Sequence, residues 1–174
     1  ALGVVALAVF TNWPVLSKAQ MMAITETNLA VALQGSGKVP EAASHYARAI
    51  ELQPDYAPAY NNLGVMQRSM GQVDQAIATY ERALSLKGSY PDAHYNLANA
   101  LLEKGRAQEA AEHFRIALQS IPDSAGAANN LGVALANQNR PADAVAAFRA
   151  AVAAEPGSAV AHRNLADALA TVGR

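Results

Sequence analysis

The sequence predicts an all-α fold, an α-solenoid of stacked helical hairpins, and three observations lead there. The chain resembles itself at a fixed period of 34 residues. Within each period, apolar and small residues follow the i, i+3, i+4, i+7 spacing of two successive helix faces. Between those faces stand residues that end helices.

Taken in order, residues 1–22 form an apolar N-terminal segment. It opens with ALGVVALAVF and meets no charge before Lys18. A helix needs about 20 apolar residues to cross a bilayer, and Thr11 and Asn12 interrupt this run first. The segment also lacks an initiating Met and the positive leading region of a complete signal peptide. Three readings stay open: the tail of a membrane helix, an apolar helix packed on the fold or on a neighbouring subunit, or the remnant of an export signal. Trp13 followed by Pro14 suits a chain leaving an interface or ending a helix, because proline disfavours helix in the residue before it. It equally suits a Trp packed on the first repeat.

From Ala23 the chain divides without a gap into units at 23–56, 57–90, 91–124 and 125–158, followed by 159–174, which holds only the first helix of a fifth. In the second unit, Tyr60, Leu63, Gly64 and Gln67 share one face of a first helix, and Ala76, Tyr80 and Ala83 share a face of a second. Small residues recur after the leucine (Ala30, Gly64, Ala98, Gly132, Ala166), where a short side chain lets two helices approach. An aromatic (Tyr46, Tyr80, Phe114, Phe148) fills the space beside that contact. Gly37, Gly71, Gly105 and Asn139 lie between the helices, and glycine and asparagine enter the left-handed conformation at least cost. Pro54, Gly88, Pro122 and Pro156 follow the second helices.

These columns resemble the tetratricopeptide repeat (TPR) family over residues 23–174, carried by Leu63-Gly64, Ala76, Tyr80, Ala83 and their equivalents in all four full units. The resemblance implies a right-handed superhelix whose first helices line the concave surface. The family's first aromatic is Tyr60 in one unit and Glu26, His94, Ala128 or His162 in the others, which predicts weaker local packing there. In such arrays each unit contacts mainly its neighbours, so the ends are weak points.

Composition narrows the function classes. The chain is 52% hydrophobic and 16% charged with a formal net charge of −1, so it has no basic footprint for nucleic acid. Without cysteine there is no disulfide framework, thiolate nucleophile or cysteine-ligated zinc. No phosphate-cradling glycine loop or nucleophile elbow appears. The histidines fall in register, His45 with His113 and His94 with His162; equivalent positions of different units do not converge, so packing or solvent-facing roles are expected. No enzyme, cofactor or metal is expected.

The candidate binding residues are asparagines. Asn28, Asn62, Asn96, Asn130 and Asn164 form one column, joined by Asn99. At 100° per residue, Asn62 sits about 160° from the centre of the Leu63 face, away from the core. The column is similar to the peptide-binding asparagine ladder in the superhelical TPR region of O-linked N-acetylglucosamine transferases. An amide side chain offers donor and acceptor as a peptide bond does, so such a row can hold an extended chain by its backbone. Alternatively, the asparagines bond to their own or a neighbouring unit's backbone. TPR domains that grip chaperone carboxy termini use lysine, arginine and asparagine on this surface, but the matching positions here are Thr27, Asn61, Val65, Tyr95 and Asn99. With Asp92, Glu103 and Asp167 nearby, a neutral or mildly basic ligand is expected.

The expected function is a non-catalytic scaffold binding a protein or peptide along this groove. One alternative is head-to-tail self-assembly into oligomers or filaments through the half-unit 159–174 and an apolar arm, with Leu2, Val4, Val5, Leu7, Val9, Phe10 and Trp13 as its contacts. Another is the soluble tail of a membrane-anchored, glycosyltransferase-like protein, with membrane contact through residues 1–16. The apolar start favours a membrane-associated or exported location over a cytoplasmic one.

Overall fold

The computed structural model describes residues 16–173, and those residues are helical with short turns. They form α1 (Lys18–Gly35), α2 (Val39–Leu52), α3 (Ala57–Ser69), α4 (Val73–Leu86), α5 (Pro91–Glu103), α6 (Ala107–Ser120), α7 (Ala125–Asn137), α8 (Pro141–Ala154) and α9 (Ala159–Val172). The chain divides into two compact units, one ending at Tyr56 and one beginning at Ala57. The first is the single hairpin α1–α2. The second is a helical solenoid, in which hairpins α3–α4, α5–α6 and α7–α8 stack in sequence and α9 packs on the last. The expected fold class is therefore observed.

The turns inside the hairpins are alike. Each hairpin turn holds a residue with positive φ two positions past its first helix: Gly37 (76°), Gly71 (77°), Gly105 (74°) and Asn139 (56°). At every one, two backbone bonds satisfy the last carbonyls. In the second unit, Gln72 N donates to Gln67 O at 2.9 Å and Gly71 N to Arg68 O at 2.9 Å. This is the Schellman arrangement, which turns the chain back at once for the second helix. Helix starts draw on different devices. Ser17 and Gln20 cap α1 reciprocally, Ser17 Oγ accepting from Gln20 N at 3.1 Å and Gln20 Oε1 accepting from Ser17 N at 2.7 Å. Pro40, Pro91 and Pro141 open α2, α5 and α8, where the missing N–H would have had no partner.

Alanine dominates the cores. In the first unit Ala23, Ala30, Ala42 and Ala49 are buried together with Tyr46. In the second, Tyr80, Phe114, Leu97 and Leu101 are the largest fully buried side chains among the described residues, set among buried alanines. Glycine replaces alanine where the rings press hardest: a Cβ at Gly64 would meet Tyr80 Cε1 at 2.6 Å. The leucine column is less uniform than its sequence suggests, since Leu97 is 1% exposed but Leu29 is 43% exposed. The reason lies in the solenoid. First helices contact each other as well as their own second helices, so α3 buries Ala57, Ala59, Asn61 and Met66 besides the expected Gly64.

Candidate functional site

The asparagines of the second unit are tied to one another across the repeats. Asn62, Asn96, Asn99, Asn130 and Asn164 are all half-buried, on the first helices α3, α5, α7 and α9. Asn96 Nδ2 donates to Asn61 Oδ1 at 3.1 Å, and Asn61 Nδ2 donates to Asn62 Oδ1 at 3.2 Å. Farther along, Asn164 Nδ2 donates to Asn129 Oδ1 at 2.9 Å, Asn129 Nδ2 to Asn130 Oδ1 at 3.2 Å, and Asn130 Nδ2 to Asn99 Oδ1 at 2.8 Å. Two directed runs result, one ending at Asn62 and one at Asn99. An amide has two N–H groups and a carbonyl with two lone pairs, so each member keeps hydrogen-bonding capacity after these contacts. In the first unit, Asn28 is exposed on α1.

The bridging residues Asn61 and Asn129 were not singled out for this role by sequence. Their signal is a spacing of two repeats with Tyr95 between them, and Tyr95 instead lies edge-on to Phe114 with ring centres 5.9 Å apart. Thr27 in the first unit is buried and donates to its own Ala23 carbonyl at 2.8 Å.

Two hollows of about 260 Å³ flank the asparagine runs. Val65, Arg68, Ser69 and Glu103 line one, and there Arg68 Nε donates to Glu103 Oε1 at 2.7 Å. Beneath this pair the hydroxyl of Tyr80 is buried without a partner. Burial pushes its pKa up to about 12, with Arg68 lowering it and Glu103 raising it by smaller amounts. Val133, Ala136, Phe148, Asn164, Asp167 and Thr171 line the second hollow, which has an apolar floor and a carboxylate at its rim.

The histidines do more than pack or face solvent. His94 and His113, from different columns of one hairpin, meet with Nδ1 to Nδ1 at 2.8 Å and ring centres 5.1 Å apart. The centre separation exceeds the contact by about two ring radii, so both nitrogens lie on the line between the rings. That is the geometry of one N–H···N bond rather than of two lone pairs converging on a cation. His94 Nε2 donates to Gly88 O at 3.0 Å, which leaves His94 Nδ1 as the acceptor and His113 Nδ1 as the donor. His162 Nε2 repeats the loop contact, donating to Pro156 O at 2.9 Å. Replacing the family's aromatic by histidine thus pins the loop from the preceding repeat. In the first unit the matching columns hold Glu26 and His45, in contact at 2.6 Å. Among the described residues, no three His, Cys, Asp or Glu side chains gather to hold a metal ion.

The arm contacts Leu2, Val4, Val5, Leu7, Val9, Phe10 and Trp13 lie outside the described residues. Among the described residues no helix is long and apolar enough to cross a membrane.

Comparison with known proteins agrees with this architecture. Three family models, each described as a tetratricopeptide repeat, match residues 21–88, 67–125 and 101–163. A search of curated proteins gave no match. Among solved structures, the chain resembles YrrB, a TPR protein with an unusual peptide-binding site, at 24% identity and a TM-score of 0.79, covering 99% of this chain and 86% of that one. It resembles MamA of Desulfovibrio magneticus RS-1 at 17% identity and 0.82, covering 91% and 88%. It also resembles the first TPR of Spaghetti (RPAP3) bound to the HSP90 peptide SRMEEVD, at 18% and 0.66, covering 68% and 94%.

Proposed function

Residues 21–163 consist of tetratricopeptide repeats, and on that basis we propose a non-catalytic interaction scaffold whose second unit holds an extended peptide against Asn62, Asn96, Asn99, Asn130 and Asn164. The observation that supports this most is the unspent donor and acceptor capacity of a half-buried amide row. The mutual bonds fix each amide's orientation before a ligand arrives, so little ordering entropy remains to be lost on binding. Peptide binding by relatives of the same fold, YrrB and the RPAP3 repeat, is consistent with it. The ligand chemistry differs from that of SRMEEVD, because Arg68 is engaged by Glu103 while Asp92 and Asp167 add negative charge. A neutral or basic peptide fits this surface.

The test is a titration with a capped Ala/Ser peptide, read on the asparagine side-chain amides. Changing Asn62, Asn96 and Asn130 to Ala should weaken binding about tenfold or more with helicity unchanged, given about 0.5–1.5 kcal/mol for each net hydrogen bond. Unaltered affinity would remove the groove from consideration.

Self-association is a second reading, favoured by α9, which exposes Val160 (57%), Leu169 (43%) and Val172 (50%). Light scattering across a concentration series tests it: growth in mass that serine substitutions at these positions abolish supports it, and a constant monomer mass rejects it. Membrane association through residues 1–16 is the location this scaffold would have, and flotation with lipid vesicles, with and without that segment, decides it.

A further inference from the structure

We infer that the hollow between α7, α8 and α9 is a subsite for an arginine side chain of the bound peptide. This rests on the groove reading and names the residue type that the groove selects at this point. The molecule itself shows what fits such a place. At the junction of α3 and α5, Arg68 lies along a hollow of the same size, about 260 Å³, and reaches Glu103 of the next first helix at 2.7 Å. Two repeats later the residues in those columns are Ala136 and Thr171. Both are small, and a volume of about 260 Å³ stands beside them. At the intermediate junction the columns hold Leu102 and Asn137, and the next residue, Gln138, bonds the Ala107 carbonyl at 3.0 Å.

The walls suit an arginine. Val133, Ala136 and Phe148 offer apolar surface to an aliphatic stem, and Phe148 lacks the hydroxyl that Tyr80 carries in the same column. At the rim, Asp167 makes no ion pair among the described residues, and the amide of Asn164 stands one turn before it on α9. Arg163, one turn earlier on α9, makes no ion pair with Asp167, and Arg140 at the start of α8 is engaged by Asp143 at 2.6 Å. A guanidinium seated here would meet an unneutralised carboxylate, as Arg68 meets Glu103. The volume lies below the roughly 300–1,000 Å³ of small-molecule pockets.

The experiment is an NMR titration of the whole chain with two capped tripeptides, Ala-Arg-Ala and its citrulline counterpart, which keeps the shape without the charge. Ala-Arg-Ala should shift the side-chain amide of Asn164 and the backbone amides of Ala136, Asp167 and Thr171, binding about fivefold more tightly than the citrulline peptide. Asp167→Asn should remove that preference. Ala136→Arg, at an exposed helical position, should set a competing guanidinium at the hollow beside Asp167 and abolish the shifts. Equal affinity for the two tripeptides, or binding that survives Ala136→Arg, would overturn the assignment. A parallel titration with the capped Ala/Ser peptide separates this site from the groove. Movement at Asn62 and Asn96 alone keeps the groove and rejects the arginine site, whereas movement at Ala136, Asp167 and Thr171 with Ala-Arg-Ala and none at Asn62 and Asn96 does the reverse.

Discussion

Gly132 lies so close to the ring of Phe148 that a Cβ on it would come within 2.5 Å of Cε1. Helix and ring touch here without an intervening side chain, as Gly64 and Tyr80 do earlier in the stack. Gly132→Ala should therefore destabilise the protein by about 1–3 kcal/mol, because overpacking costs more than the helix propensity gained by alanine. Urea denaturation followed by circular dichroism gives the value. An increase in stability would mean that Phe148 can move aside.

The turn residues differ in cost. Asn139 holds φ at 56°, a conformation that glycine adopts without strain. Asn139→Gly should be neutral or stabilising by up to about 1 kcal/mol, and Gly105→Ala should be destabilising by about 1–2 kcal/mol. Melting temperatures of the two variants, measured together, check the opposite signs.

Acid should weaken the third hairpin. Burial lowers the His113 pKa below its ordinary 6.5, with the charge of His94 acting in the same direction, against Glu112 and Glu109. A lowered value means that the unfolded chain takes up the proton first. Stability is therefore full above pH 6.5 and falls as the pH drops below it toward the folded value. Urea midpoints measured on both sides of pH 6.5 should show this loss, and His113→Gln should reduce it; an equal slope in the variant would assign the loss elsewhere.

The bridging asparagines are structural before they are anything else. Asn129→Ala should cost about 0.5–1.5 kcal/mol, since it takes away the acceptor of Asn164 and a donor to Asn130. A double-mutant cycle between Asn130 and Asn99, whose amides are 2.8 Å apart, should give a coupling of a few tenths of a kcal/mol or more. Strict additivity would show that the contact contributes nothing to stability.

The hairpin architecture was legible in the sequence because each of its determinants is local or strictly periodic. Gly37, Gly71, Gly105 and Asn139 announce their turns within a few residues, and Ala76, Tyr80 and Ala83 recur at the repeat length. The site was legible only in part. One column holds Asn62, Asn96, Asn130 and Asn164, but the bonds join it to Asn61, Asn99 and Asn129, which belong to other columns. Likewise His94 and His113 meet across a hairpin, although in sequence each pairs only with its own repeat equivalent. Columns reveal which positions are equivalent. They do not reveal which different positions face one another, because that depends on the rise and rotation between helices.

Within each asparagine run, every amide donates in the same sense, from Asn164 by way of Asn129 and Asn130 to Asn99, and from Asn96 by way of Asn61 to Asn62. Such a surface has a heading, like the grain of a piece of wood. An extended chain also has one, since its amide and carbonyl groups alternate in a fixed order from amino to carboxyl end. Laid along this grain, a peptide and its reversed sequence are different ligands even where their side chains coincide.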